Sequence, residues 1–320
     1  MKRSKIWKIV GGIITVIVIV FIIKKLLEFD IDYTMLLQPQ NLVYLIIVSI
    51  VYGVHMLVLC IPWKTFIQLL SGKKIPFHEA AWVYNKSNLL KYIPGNVFQY
   101  IGRNELAFRM KVSHVDVSFS TVCDVLLLVV MNFVLSILFY GDGVSKWLAE
   151  YGTDSLYWIF IVIAVICAIA IVLFIKKREK VVGYFAKLKV FFRRESLAPI
   201  IGCIVFDAGL CILIAYCSSI AFNMMGIQLK ADELPIVMGA YMLSWIAGFI
   251  IPGAPGGIGI REAARTLLLA GIFPVEQALL SSVIFRFIMV IGELIGLLLA
   301  FIVKKLSEKK IRNQENVSYE

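Results

Sequence analysis

Apolar runs of bilayer-crossing length, separated by short charged flanks, organise this chain of 320 residues. Six stretches are long and apolar enough to span as helices of about 20 residues. They lie at approximately 6–23, 42–61, 117–140, 156–175, 199–223 and 276–303. Two further stretches, 77–110 and 235–272, are apolar but interrupted at Pro94-Gly95 and Pro252-Gly253. Proline removes a helix donor and glycine weakens a helix. Broken backbone at membrane depth persists only where it is buried in protein or lines a cavity. Each arm of about 16–20 residues reaches roughly 24–30 Å, enough for a deep re-entrant hairpin.

Charge decides between a hairpin and a full crossing. With the N-terminus inside, the segments 1–8, 62–116, 176–198 and 304–320 face the cytoplasm and hold 25 of the 32 Lys and Arg. The external segments 24–41, 141–155 and 224–234 hold only Lys24, Lys25, Lys146 and Lys230, amid eight acidic residues. Cytoplasmic loops carry the basic excess in membrane proteins. If 77–110 crossed fully, every later loop would change sides and Lys176 to Arg194 would face out. The hairpin reading therefore stands, with a plasma-membrane location and both termini cytoplasmic.

The two broken segments share a plan. Pro94-Gly95-Asn96-Val97-Phe98-Gln99-Tyr100-Ile101-Gly102-Arg103-Asn104-Glu105 and Pro252-Gly253-Ala254-Pro255-Gly256-Gly257-Ile258-Gly259-Ile260-Arg261-Glu262 each run Pro-Gly, spacer, Gly, Arg, Glu. A single gap aligns them. The chain thus reads as two copies of one unit of two spans, a hairpin and a span. The first copy covers 1–140 with hairpin 77–110, the second 156–303 with hairpin 235–272, and 304–320 is a basic cytoplasmic tail. Three crossings per unit is odd, so the second copy is inverted. The predicted fold class is an all-α polytopic membrane protein of two inverted repeats, with six spans plus two re-entrant helical hairpins. Inverted repeats meeting around broken helices are the architecture of many transporters.

Composition agrees. The chain is 60% hydrophobic with a mean hydropathy of +0.88, beyond the range of ordinary soluble domains. The net charge of +11 raises nucleic acid as a partner, but the basic residues are membrane flanks without aromatic interleaving, so none is expected. The six cysteines fall in apolar runs without ligand spacing, so neither zinc, another metal nor a disulfide framework is expected. The charged start and the run from Ile9 to Ile23 imitate a secretory signal. The run is long, lacks a cleavage site and ends in Lys24-Lys25, which favours an uncleaved span.

Candidate chemistry gathers at the breaks. After each Pro-Gly a new helical arm begins, with free N–H groups and a positive dipole end that suit an anion. Gly95, Gly253, Gly256 and Gly257 let backbone approach a phosphate, although close helix packing would use the same glycines. Gly257→Ala is accordingly expected to leave stability without lipid little changed, and Gly259→Ala to lower it. Arg103 and Arg261 are costly in hydrocarbon and fork well onto phosphate. Each lies about nine residues beyond its break, roughly 13 Å along a helix, which predicts one headgroup ligand per leaflet. The competing role is a salt bridge to Glu105 or Glu262. Asp124, Asp207, Arg286 and Glu293 are ionisable groups inside apolar spans, where a functional role is the default. Asp124 and Arg286 occupy equivalent spans and are placed to pair. Glu105, Glu262 and Glu293 are the coupling candidates. His55 reads as a packing histidine. No nucleophile elbow, phosphate-binding Walker loop, zinc-protease helix or cofactor motif is present, so no cofactor or catalytic residue is expected.

Tyr92-Ile93-Pro94-Gly95 with Gly102-Arg103-Asn104-Glu105, and the glycine-rich stretch from Pro252 to Glu262, resemble the lysylphosphatidylglycerol synthase transmembrane region. That family includes the flippase half of the bacterial multiple-peptide-resistance factor. The resemblance covers nearly the whole chain and implies a flippase-like protein that binds or translocates an anionic or aminoacylated phospholipid, with a link to antibiotic resistance. Members with phosphatidylglycerol lysyltransferase activity carry a further soluble domain, from which this sequence departs. That enzyme, and a membrane partner of a separate lipid-modifying enzyme, are the alternative readings.

Overall fold

The computed structural model describes residues 37–93, 97–151, 189–251 and 255–317. The spans expected at 6–23 and 156–175, and the Pro-Gly pairs containing Gly95 and Gly253, lie outside the described residues. Every regular element among the described residues is helical.

Helix α1 (Pro39–Val58) starts with Pro39, whose missing N–H costs nothing in a first turn. A break at Leu59 leads directly into α2 (Cys60–Ser71), so the span expected to end near 61 continues to 71. Gly72 stops it in the left-handed region (φ 67°), its N–H donating to the Gln68 carbonyl. The first interrupted segment forms α3 (Phe77–Asn88), a 3₁₀ turn (Leu89–Tyr92) and α4 (Phe98–Phe108). Helix α5 (His114–Tyr151) and helix α6 (Arg194–Met224) follow. The second interrupted segment forms α7 (Glu233–Ile250), a 3₁₀ turn (Pro255–Gly257) and α8 (Ile260–Leu269). Helix α9 (Val275–Val317) closes the fold.

Two further boundaries differ from expectation. Residues 141–151, expected in an external loop, continue α5. Glycine costs a helix about 1 kcal/mol, but Gly143 packs against Tyr140 and Ile236 of α7, which offsets that cost. The basic tail after 303 is helical to Val317. It contains no Pro or Gly, and Lys304 pairs with Glu308 one turn on at 3.7 Å.

Helix α9 packs on α1 and α3, while α5 packs on α7 and α6. The α1–α9 crossing is close because Gly292 and Gly296 face Tyr52, Met56 and Gly53, where any side chain would overlap. Small residues at this spacing let two membrane helices approach. At one end of the bundle, Lys73 bonds the Lys111 carbonyl, Lys304 pairs with Glu79 at 3.1 Å, and Phe66 meets Phe191 edge-on. At the other end, Asn41 donates to the Met224 carbonyl at 2.8 Å. There Tyr140, Phe222, Ile236, Leu269 and Phe273 form an apolar cluster. The α3–α4 segment thus begins and finishes at one end, and the α7–α8 segment at the opposite end.

Among the described residues, five helical stretches are long and apolar enough to cross a membrane: Pro39–Ser71, His114–Gly141, Arg194–Met224, Glu233–Ile250 and Val275–Gln314. The fourth, α7, is an arm of the second interrupted segment rather than one of the expected spans. Aliphatic residues such as Ile46, Val130 and Val205 point outward, whereas Asp124, Asp207 and Glu293 point in. That inversion of the soluble pattern is what a lipid solvent selects.

Candidate lipid-headgroup site

The two interrupted segments meet tip to tip. Tyr92, at the end of the first 3₁₀ turn, lies against Gly256 in the second. Around this contact is a cavity of about 140 Å³. The first half of the chain contributes Tyr52, His55, Tyr84, Lys91, Gln99, Tyr100 and Arg103 to its wall, and the second contributes Tyr241, Trp245, Gly248, Gly256, Gly257 and Arg261.

Three ion pairs ring the cavity. Arg103 on α4 donates through Nη1 to Asp124 Oδ2 on α5 at 3.2 Å, and Tyr84 donates to the same oxygen at 3.0 Å. The Arg103 guanidinium also lies over the Tyr84 ring, 3.7 Å from its centroid. Lys91 reaches Glu293 Oε1 at 2.5 Å, and the Tyr92 hydroxyl donates to Oε2 at 3.0 Å, tying the first tip to α9. Arg286 on α9 holds Glu262 of α8 at 3.6 Å, a charge contact longer than a hydrogen bond, and donates to the Gly256 carbonyl at 2.7 Å. Glu262 in turn accepts the Gly259 N–H at 2.5 Å and so satisfies one donor at the start of α8.

Arg261 differs from these. It forms no hydrogen bond or ion pair with any described residue, and its buried Nε lacks a partner. Its stem packs on Gly248, where a Cβ would overlap it, and its guanidinium lies 5.5 Å from the Trp245 ring centroid. Arg265, one turn on, is buried away from the cavity, donating to the Ser218 carbonyl at 3.0 Å with Tyr241 nearby.

Several expectations change. Asp124 and Arg286 do not pair with each other; each binds a charge on the interrupted segment of its own half. Arg103 and Glu105 do not pair, because residues two apart on a helix point to opposite sides; Glu105 is exposed and lies outside the cavity wall. Arg261 and its neighbour Glu262 likewise diverge. Arg103 and Arg261, expected one to each leaflet, line the same cavity. Helix α4 starts only at Phe98 and α8 only at Ile260, so neither arginine stands nine helical residues into its arm. Gly257 (φ 71°) and Gly259 (φ 83°) both sit in left-handed backbone. A Cβ on Gly257 would stand 2.9 Å from both the Gly248 carbonyl and Arg261 Nε. Gly257→Ala is therefore strained and destabilising without lipid, contrary to expectation.

His55 lines the cavity with its Nδ1 buried and unpartnered, beside the Tyr52 ring. Sequence reasoning missed Trp245 and Gly248 as the seat of Arg261. Their three-residue spacing on α7 places them on one face, but nothing in the sequence couples that face to position 261. No group of His, Cys, Asp or Glu among the described residues is arranged to hold a metal.

Residues 8–296 match the family model of the lysylphosphatidylglycerol synthase TM region. No curated protein and no solved structure matches the chain. A match over most of the chain, apolar outward faces and several helices of spanning length fit together. The chain is a multi-pass integral membrane protein of the lysylphosphatidylglycerol synthase transmembrane-region family.

Proposed function

We propose that this protein binds the anionic headgroup of a phospholipid in the cavity between its two interrupted segments and carries it between leaflets. The observation that carries this reading is the charge balance around the cavity. Lys91, Arg103 and Arg286 are each matched by a carboxylate, and Arg261 is left over beside an aromatic ring. A buried cation without a counter-ion is costly, and a phosphate that accepts its fork removes that cost. One surplus positive charge suits a headgroup with one net negative charge, such as phosphatidylglycerol. A lysyl headgroup adds ammonium groups, for which the cavity wall offers no unpaired carboxylate. The family membership is compatible with either lipid.

Re-entry of the two segments from opposite sides supports the transport reading. Each starts and ends at one end of the bundle, the two choose opposite ends, and their tips meet. The contacts repeat in the same sense: α3 packs on α9 as α7 packs on α5. An inverted pair of this kind gives a central site alternative access from either side by rocking one half against the other. The basic end of the bundle, with Lys73, Lys111 and Lys304, is then cytoplasmic.

Proteoliposomes containing fluorescent phosphatidylglycerol, lysyl-phosphatidylglycerol or phosphatidylcholine test the reading through quenching of the outer leaflet. Phosphatidylglycerol should exchange faster than in protein-free vesicles and faster than the other two, and Arg261→Ala should abolish that preference. Equal rates for all headgroups, or none above the protein-free rate, would overturn the proposal.

A further inference from the structure

Asp207 lies on α6, one turn from Leu210 and Cys211 in the cavity wall, and is itself fully buried. Neither of its carboxylate oxygens has a hydrogen-bond donor among the described residues. An ionised carboxylate so placed has lost its hydration without compensation, and the usual resolution is neutralisation. The described groups within electrostatic reach offer no counter-charge. They are Asp124 from α5, Tyr84 from α3, and Cys203 and Cys211 from α6 itself. Helices α1, α2, α7 and α9 and the 3₁₀ turn Lys189–Phe192 also pack on α6 but bring no charge to bear on Asp207. Arg103 is already held by Asp124, whose second oxygen is also unpartnered.

We propose that Asp207 is a proton-binding site and that its proton is taken up together with the anionic headgroup. This inference rests on the headgroup reading of the cavity. With Asp207 neutral, Arg103 answers one carboxylate and the cavity keeps its surplus positive charge. Loss of the proton to bulk water sets a second buried negative charge beside Asp124 and offsets that surplus. The headgroup then binds less well and is released. By reciprocity, a bound headgroup raises the affinity of Asp207 for its proton. Proton and lipid therefore move in the same direction, and a proton gradient can drive the lipid.

Two measurements on the full-length protein test this. Infrared spectra of wild type minus Asp207→Asn should contain a protonated carboxylic-acid band near neutral pH that shifts in heavy water. The affinity for phosphatidylglycerol in detergent, read from lipid-dependent thermal stabilisation, should fall with rising pH in wild type. One linked proton gives a limiting slope of about tenfold per pH unit. The affinity of Asp207→Asn should stay high and change little with pH. If the variant does not fold, the wild-type acid band must disappear in step with the affinity as pH rises. An ionised Asp207, or wild-type lipid affinity independent of pH, would overturn the inference. Absence of lipid stabilisation at every pH with the acid band present would instead sink the headgroup reading and leave the proton site standing.

Discussion

At the scale of single residues, Arg261 is the discriminating group. Membrane-depth arginine is expensive enough to be noticed in any sequence, and the Gly-rich run before it marks a place where backbone turns sharply. Its environment refines the expectation. The guanidinium rests beside Trp245 with a free Nε, so both its planar face and its fork are in use or available. Lysine keeps the charge and loses both features. Arg261→Lys should weaken phosphatidylglycerol binding about five- to thirtyfold, the range that corresponds to 1–2 kcal/mol. The check is lipid-dependent thermal stabilisation in detergent, with stability in the absence of lipid close to wild type. Undiminished affinity in Arg261→Lys would reduce the residue to a point charge.

At the scale of elements, each half locks its interrupted segment to its own last helix with one ion pair. The polarity is exchanged between halves. In the first, the segment supplies the cation and the helix the anion, as Arg103–Asp124; in the second, the segment supplies the anion, as Glu262–Arg286. Contacts between halves include those of the first tip, through Lys91 and Tyr92 on Glu293, the packing of α5 on α7, and the glycine crossing of α1 on α9. That crossing is a test of how firmly the halves are joined. Gly292→Val places two methyl groups against Tyr52 and the Ser49 carbonyl, and overpacking of this kind costs about 1–3 kcal/mol. The melting temperature in detergent should fall by several degrees, whereas Gly209→Val, with open space around it, should leave it within a degree or two. Equal melting temperatures for the two variants would mean that the crossing bears no packing load.

At the scale of the whole molecule, the decisive property is that both interrupted segments return to the end from which they start. Single cysteines on a background without the six native ones report on this. Positions 73 and 308 should label only from the cytoplasm, together with 187, and 230 should label from outside, together with 32 and 152. External labelling at 73 together with internal labelling at 230 would reverse the orientation; labelling of 73 and 308 from opposite sides would dismantle the hairpins.

Much of this was open to reading from the chain itself. Lipid as solvent makes a span a run of some twenty apolar residues, so α1, α5, α6 and α9 were visible as composition. Proline and glycine act locally on backbone, so the ends of the two entering arms, at Tyr92 and Ile250, were visible as well. The scarcity of charge inside apolar runs singled out Arg103, Arg261, Asp124, Arg286 and Glu293. Partnership among those charges was decided only by tertiary structure. Which carboxylate Arg103 meets depends on the crossing of α4 with α5, and no periodicity along one helix encodes the rotation of another. The same holds for the seat of Arg261 on Trp245 and Gly248 and for the isolation of Asp207, each being a fact about three or more helices at once. The joining of two expected sites into one cavity has the same origin. Helices α4 and α8 begin only at Phe98 and Ile260, so both arginines stay near the starts of their arms and line the same cavity.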